Sequence, residues 1–187
     1  TMYHSFDFGT LPGIMLYSEH PLIWNKEYID QTQIDWFEQD ISNARQQNNT
    51  QWVITSLHRP LYTSWEQTIT IRDKIEPIMN KYRSNIVFQG HIHTYERTTQ
   101  INNNKDLGTC TTINKQLEEC PKDVAPVYIL TGAAGNSHSI PGDPKVEPWS
   151  RFIDRTVGIG ILDVESSSIS HTWINSNTFE KDMVVIS

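Results

Sequence analysis

The sequence has no apolar run long enough to span a bilayer, which excludes a membrane-spanning helix within these residues. It has no cluster of Lys and Arg either. Fifteen basic residues stand against 22 acidic ones, for a formal net charge of −7. A nucleic-acid surface needs grouped positive charge to displace counterions, so that class of partner is excluded. A small phosphorylated substrate is not, because a metal centre supplies positive charge locally. Repeats and low-complexity tracts are missing. The opening Thr1-Met2-Tyr3-His4-Ser5 lacks both an initiator methionine in first place and a signal-peptide pattern, as expected of a mature product or a fragment. Cysteine is scarce. Cys110 and Cys120 lie in one polar stretch and are either a local disulfide, which fits an oxidising compartment, or two free thiols. Asn48-Asn49-Thr50 has the form of a glycosylation acceptor at Asn48, though such triplets also arise by chance. Together these features point to a secreted or lysosomal protein.

What is present is ordinary globular composition, 37% hydrophobic and 20% charged over 187 residues, enough for one domain with a real core. Ile14-Met15-Leu16-Tyr17 reads as a short buried strand. Ile34, Phe37, Ile41 and Ala44 repeat at helical spacing, and 52–57 reads as the next strand. A second helix follows through Ile71, Ile75, Ile78, Met79 and Tyr82, with Pro77 expected to kink or restart it. Asn85 to Gln89 is a third strand, stopped by Gly90. This alternation is the mark of α/β layering. From Ile101 to Pro126 the chain is polar and irregular, which predicts an insertion loop. The runs 127–131, 157–164, 168–174 and 183–186 are strand-like without intervening helices and predict an antiparallel second half. No linker divides residues 1–187.

Three histidines stand out by position. His58 follows one predicted strand directly, and His91 and His93 follow another across Gly90. In open α/β sheets, functional groups gather beyond the carboxyl ends of the strands. Were 90–94 extended, residues 91 and 93 would face the same side. Neutral imidazole suits zinc, iron and manganese-like ions. A lone His-x-His is more often a surface pair, and His58 beside Arg59-Pro60 is what strengthens the metal reading. His4, His20, His138 and His171 have no comparable setting and read as structural or surface residues.

Ser56-Leu57-His58-Arg59-Pro60-Leu61-Tyr62-Thr63-Ser64 and Gly90-His91-Ile92-His93-Thr94-Tyr95-Glu96-Arg97-Thr98 resemble the last two signature motifs of the purple acid phosphatases. Ser5-Phe6-Asp7-Phe8-Gly9, the helix around Gln33 to Asp40 and the glycine loop Thr131 to Asn136 are similar to further segments of that family. The resemblance implies a layered α/β/β/α metallophosphoesterase-type sandwich, of which this chain supplies the carboxy-terminal portion. It implies a dinuclear centre of iron plus a divalent metal (zinc, manganese or iron). His58 and His91 would bind the divalent ion and His93 the ferric ion. Tyr95, Glu96 and Arg97 would orient the loop and hold ring protons in place.

The family's remaining ligands, two aspartates, a tyrosine and an asparagine, belong to Gly-Asp-x-Gly, Gly-Asp-x-x-Tyr and Gly-Asn-His motifs that this sequence does not contain. Gly142-Asp143-Pro144 and Gly135-Asn136-Ser137-His138 are lookalikes in the wrong context. Three neutral imidazoles bring no negative charge, so a two-metal site built from them alone is undercompensated. The histidines that many members carry after the first motif, suited to protonating a leaving group, are replaced here by Gln67-Thr68. Two functions follow. One is hydrolysis of small phosphomonoesters by the complete protein, with the missing amino-terminal half of the domain, or another chain, completing the site. The alternative is a non-catalytic remnant, or a partner- or metal-binding fragment. Taken alone, the chain is expected to expose a sheet edge and apolar surface.

Overall fold

A computed structural model of the chain describes residues 2–23, 26–47, 50–135 and 142–187. The elements in chain order are β1 (His4–Phe8), β2 (Leu11–Leu16), α1 (Gln31–Gln46), β3 (Ile54–Leu57), α2 (Ile69–Lys81) and β4 (Ile86–Gln89). Then come β5 (Tyr95–Asn102), β6 (Lys105–Asp106), β7 (Thr111–Asn114), β8 (Leu117–Cys120) and β9 (Val127–Thr131). The chain closes with β10 (Ser150–Asp154), β11 (Gly158–Val164), β12 (Ile169–Asn175) and β13 (Lys181–Ile186). They form two sheets, ordered β1-β2-β3-β4-β9-β5-β10 and β11-β12-β13-β8-β7. In the first sheet β2, β3, β4 and β9 run parallel, and the strands beyond them are antiparallel.

Strand periodicity builds the layers. Val87 and Tyr128 point into a core shared with the helices, where Phe37, Ile41, Ile71, Ile75 and Met79 are buried. Their chain neighbours Ile86, Val127 and Ile129 point the other way, into a second core with Trp173, Val184 and Ile186. The layers are therefore helices, sheet, sheet. Among the described residues no helix covers the outer face of the second sheet, where Ile159 and Ile161 of edge strand β11 are exposed. Phe6 and Phe8 are exposed on β1, at the opposite edge of the first sheet.

Helix α1 begins where Asp30 accepts a hydrogen bond from the Gln33 backbone at 2.7 Å, and it buries the predicted face Ile34, Phe37, Ile41 and Ala44. Of the two outcomes expected at Pro77, the restart is corrected, for helix α2 runs through it. Pro77 and Asp73, whose carbonyl loses its partner there, both lie on the exposed face, where water can take up the bond. The predicted insertion loop is also corrected. Within 101–126 the chain forms β6, β7 and β8, and β8 pairs parallel with β13. The strand is invisible to hydropathy because a buried position is filled by Glu118, an acidic residue with cationic partners. Strand β5 hides for the same reason, since Glu96, Arg97, Thr98, Thr99 and Gln100 are all buried.

Cys110 and Cys120 are joined in a disulfide that ties the chain before β7 to the end of β8. Asn48, the glycosylation candidate, lies outside the described residues, as do Asn136 and His138.

Candidate metal centre

Three neighbouring strands deliver the site. Leu16 of β2 pairs with Leu57 of β3, which pairs with Gln89 of β4, so the three parallel strands end level with one another. The chain then places Glu19, His58 and His91 together, with one ligand atom from each within 4.8 Å of the others. His58 Nε2 lies 3.2 Å from His91 Nδ1 and 3.5 Å from Glu19 Oε1. A four-coordinate zinc-like ion with bonds of about 2.0–2.1 Å keeps neighbouring donors about 3.3–3.4 Å apart. Two imidazoles and a carboxylate at these separations fit such an ion.

The loops are fixed from below. The buried Gln89 side chain accepts from the Leu61 and Tyr62 backbone at 2.7 and 3.2 Å and donates to the Tyr62 carbonyl at 2.6 Å. Glu96, fully buried, accepts from Thr63 Oγ1 (2.8 Å), the Ser64 backbone (2.8 Å), Ser64 Oγ (2.5 Å) and Ser150 Oγ (2.7 Å). Gly132 passes beneath the histidine loop, where a Cβ would stand 2.1 Å from the Ile92 carbonyl oxygen, so no larger residue fits. His91 itself adopts a left-handed backbone, φ 68°, a conformation that costs on the order of 1–3 kcal/mol and persists only where its surroundings impose it.

That conformation corrects one expectation. Segment 90–94 is a chain of tight turns, with Ile92 bonded to the Gly90 carbonyl and Thr94 to that of Ile92, and it is not extended. Among the described residues His93 is therefore absent from the cluster of Glu19, His58 and His91. It remains close enough for its charge to bear on His58. Tyr95, Glu96 and Arg97, expected to orient the loop and hold ring protons, divide between the two faces of β5. In a strand, alternate residues face opposite sides. Tyr95 and Arg97 turn toward the second sheet and bond Asp182 and Glu118, while Glu96 turns toward the 63–64 loop. The described partners of the His58 and His91 rings are instead each other, Glu19 and Arg59.

Arg59 and Glu19 are the residues that sequence reasoning missed. Arg59, nearly buried, donates from Nε and Nη2 to both Glu19 oxygens at 2.6 and 3.0 Å. Its Nη1 lies 2.9 Å from His91 Nε2. Guanidinium nitrogen only donates, so Nε2 carries the lone pair and Nδ1 the proton, which points at His58 Nε2. Burial, with Arg59 adding to it, holds both imidazoles below their ordinary pKa, and Glu19 opposes the shift. Near neutrality both rings are uncharged, as ligands must be. The only sequence signal for Glu19 was its place three residues beyond the Ile14–Leu16 run. Gln67, at the position where the resemblance expects a histidine, bonds Arg72 and the Thr63 carbonyl. An open cleft of about 610 Å³ adjoins the cluster, lined by Tyr17, Glu19, Pro21, Leu22, His58 and His91 among others.

The fold is a two-sheet α/β sandwich with helices against one sheet, and the histidine cluster lies beyond the carboxyl ends of its parallel strands. Residues 125–186 match the model of the family described as iron/zinc purple acid phosphatase-like protein C, a match that falls on β9 to β13 and not on the histidines. Similarity to curated proteins extends further. The chain is 30% identical over 148 residues to purple acid phosphatase 1 of Ipomoea batatas, covering 75% of this chain and 30% of that protein. It is 30% identical over 182 residues to purple acid phosphatase 18 of Arabidopsis thaliana, covering 92% and 36%. Among solved structures, the purple acid phosphatase isolated from yellow lupin (Lupinus luteus) seeds superposes with a TM-score of 0.75 at 22% identity, over 99% of this chain and 32% of that one. Plasmodium GAP50, an inner-membrane-complex anchor, shares the fold with a TM-score of 0.65 at 15% identity, over 95% and 50%. The chain belongs to the purple acid phosphatase family, and it spans about a third of the length of the curated relatives it matches.

Proposed function

We propose that this chain contributes His58, His91 and His93 to a dinuclear metal centre that hydrolyses small phosphomonoesters in mild acid. One metal is iron and the other zinc, manganese or iron, and the remaining ligands come from residues outside this sequence. The observation that carries the reading is the meeting of His58 Nε2 and His91 Nδ1 at 3.2 Å, beyond the level ends of adjacent parallel strands. Two cations at such a centre lower the pKa of water and neutralise charge on the transferring phosphoryl group. The chain's own part is to orient the two rings, to keep them neutral by burial, and to hold Glu19 and His91 in place through the buried Arg59 guanidinium. The Cys110–Cys120 disulfide suits a secreted or lysosomal setting.

The test is His91→Ala in the complete protein, with elemental analysis beside hydrolysis of a chromogenic phosphomonoester. Metal and activity should fall together, and undiminished occupancy would refute the assignment. A second reading, a non-catalytic remnant that binds a partner, draws on the single carboxylate in the described cluster. It predicts that the complete, metal-loaded protein hydrolyses no phosphomonoester.

A further inference from the structure

Resting on the reading of the complete protein as a phosphomonoesterase, we propose that Leu22 and Ile23 set its substrate class. They form an apolar wall beside the histidines that receives the organic part of an alkyl or aryl monoester and offers a second phosphate no partner. The cleft next to His58 and His91, about 610 Å³, has the size of a small-molecule site. Tyr17, Pro21, Leu22 and Ile23 supply its apolar side. Leu22 is 89% exposed and Ile23 47%, so both have surface for a bound apolar group to cover. No Lys or Arg is among the described residues that line the cleft, and Glu19 is the charged side chain there. Arg59, which holds Glu19, is nearly buried and turns its guanidinium to Glu19 and His91. A distal phosphate on a substrate therefore meets a carboxylate and an apolar surface, an unfavourable pairing.

The wall is held in place before any ligand arrives. Gln33 of α1 brackets Tyr17, accepting from its backbone N–H at 2.7 Å and donating to its carbonyl at 2.9 Å. Ser18 Oγ accepts from the Arg59 backbone at 2.9 Å, which ties this segment to the chain beside His58. The returning chain closes on it, with the His20 N–H donating to the Lys26 carbonyl at 2.7 Å and the Tyr28 N–H to that of Ser18 at 3.1 Å. At the tip, His20 Nδ1 accepts from the backbone N–H groups of both Leu22 and Ile23, at 3.1 and 3.0 Å. The imidazole meets the Tyr28 ring edge-on at 5.1 Å. Side chains on a backbone fixed this way lose little freedom when a ligand covers them, so their apolar contact is realised as selectivity.

The experiment compares kcat/KM of the complete, metal-loaded protein for ethyl phosphate, n-hexyl phosphate and hexanediol bisphosphate, which carries a phosphate at each end. All are esters of primary alcohols, so their leaving oxygens are alike. The further methylenes of the hexyl ester, about half covered by the wall, should favour it over the ethyl ester about tenfold, and a distal phosphate should remove that advantage. In the double variant Leu22→Ser/Ile23→Ser the hexyl-to-ethyl ratio should fall at least threefold, with ethyl phosphate turnover changed less than twofold. Both positions are exposed, and turnover of ethyl phosphate reports that the variant is folded. A parent ratio below threefold, or a bisphosphate preferred to the hexyl ester, would overturn the proposal and leave the phosphomonoesterase reading standing. A ratio that falls less than threefold in the variant would do the same. Equal loss on both esters would show that the tip packs against the rest of the protein instead, and would also overturn it. Failure of the parent to hydrolyse any of these esters would overturn both readings.

Discussion

Replacing Arg97 by Met should destabilise the protein by about 3–5 kcal/mol, the usual cost of removing one partner from a buried ion pair. Arg97 of β5 is 2% exposed, and it crosses between the sheets. It donates from Nε and Nη2 to the two oxygens of Asp182 on β13 at 2.7 and 2.8 Å, and from Nη1 to Glu118 on β8 at 2.7 Å. Asp182 is 0% exposed, with Tyr95 Oη as its further donor at 2.8 Å. Glu118 retains Arg151 at 3.1 Å. Methionine keeps most of the stem, so the loss is chiefly electrostatic, and Asp182 is the group left uncompensated. With an unfolding entropy of about 2.1 cal/mol/K per residue over 187 residues, a loss of about 4 kcal/mol lowers Tm by roughly 10 °C. Urea denaturation gives the energy, and a cycle with Asp182→Asn isolates the pair. In that background no carboxylate is stranded at position 182, so Arg97→Met should cost about 2 kcal/mol less than in the parent. Additive effects within about 0.5 kcal/mol would refute the argument that this cross-sheet ion pair holds the layers together.

Two further predictions concern acid and the site loop. His171 is 1% exposed and stacks on Tyr95, and burial pushes its pKa down to about 4. The unfolded chain, near 6.5, takes up the proton first, so stability is unaffected above that pH and falls as pH drops from about 6.5 to 4, by up to about 3 kcal/mol. His171→Phe should remove that part of the slope in urea midpoints measured from pH 7 to 4, and an unchanged slope would refute the cause. Glu96→Gln keeps the shape but loses the charge that four donors share, at a cost of about 2–3 kcal/mol. Its cation affinity should fall with retained secondary structure. Unaltered affinity would show that the 63–64 loop does not position His58.

The sequence by itself determined the helix-side core and the place of two histidines. Periodicity marked Ile34, Phe37, Ile41, Ala44, Ile71, Ile75, Ile78 and Met79, all of them buried, because a helix must bury one face to be stable. Position after a strand marked His58 and His91, because the ends of neighbouring parallel strands share one edge. Tertiary structure decided the rest, wherever a buried position is filled by a polar residue whose partner is distant in sequence. Strand β8 could not be read because Glu118 is stabilised by Arg97 and Arg151, and strand β5 because Arg97 requires Asp182, 85 residues away. Glu19 joins His58, 39 residues further along the chain (58 − 19), only through the pairing of β2 with β3, and no local signal of it lies between them. His93 stands apart from the described cluster because His91 turns through a left-handed backbone, in a loop against which the distant Gly132 packs at Ile92.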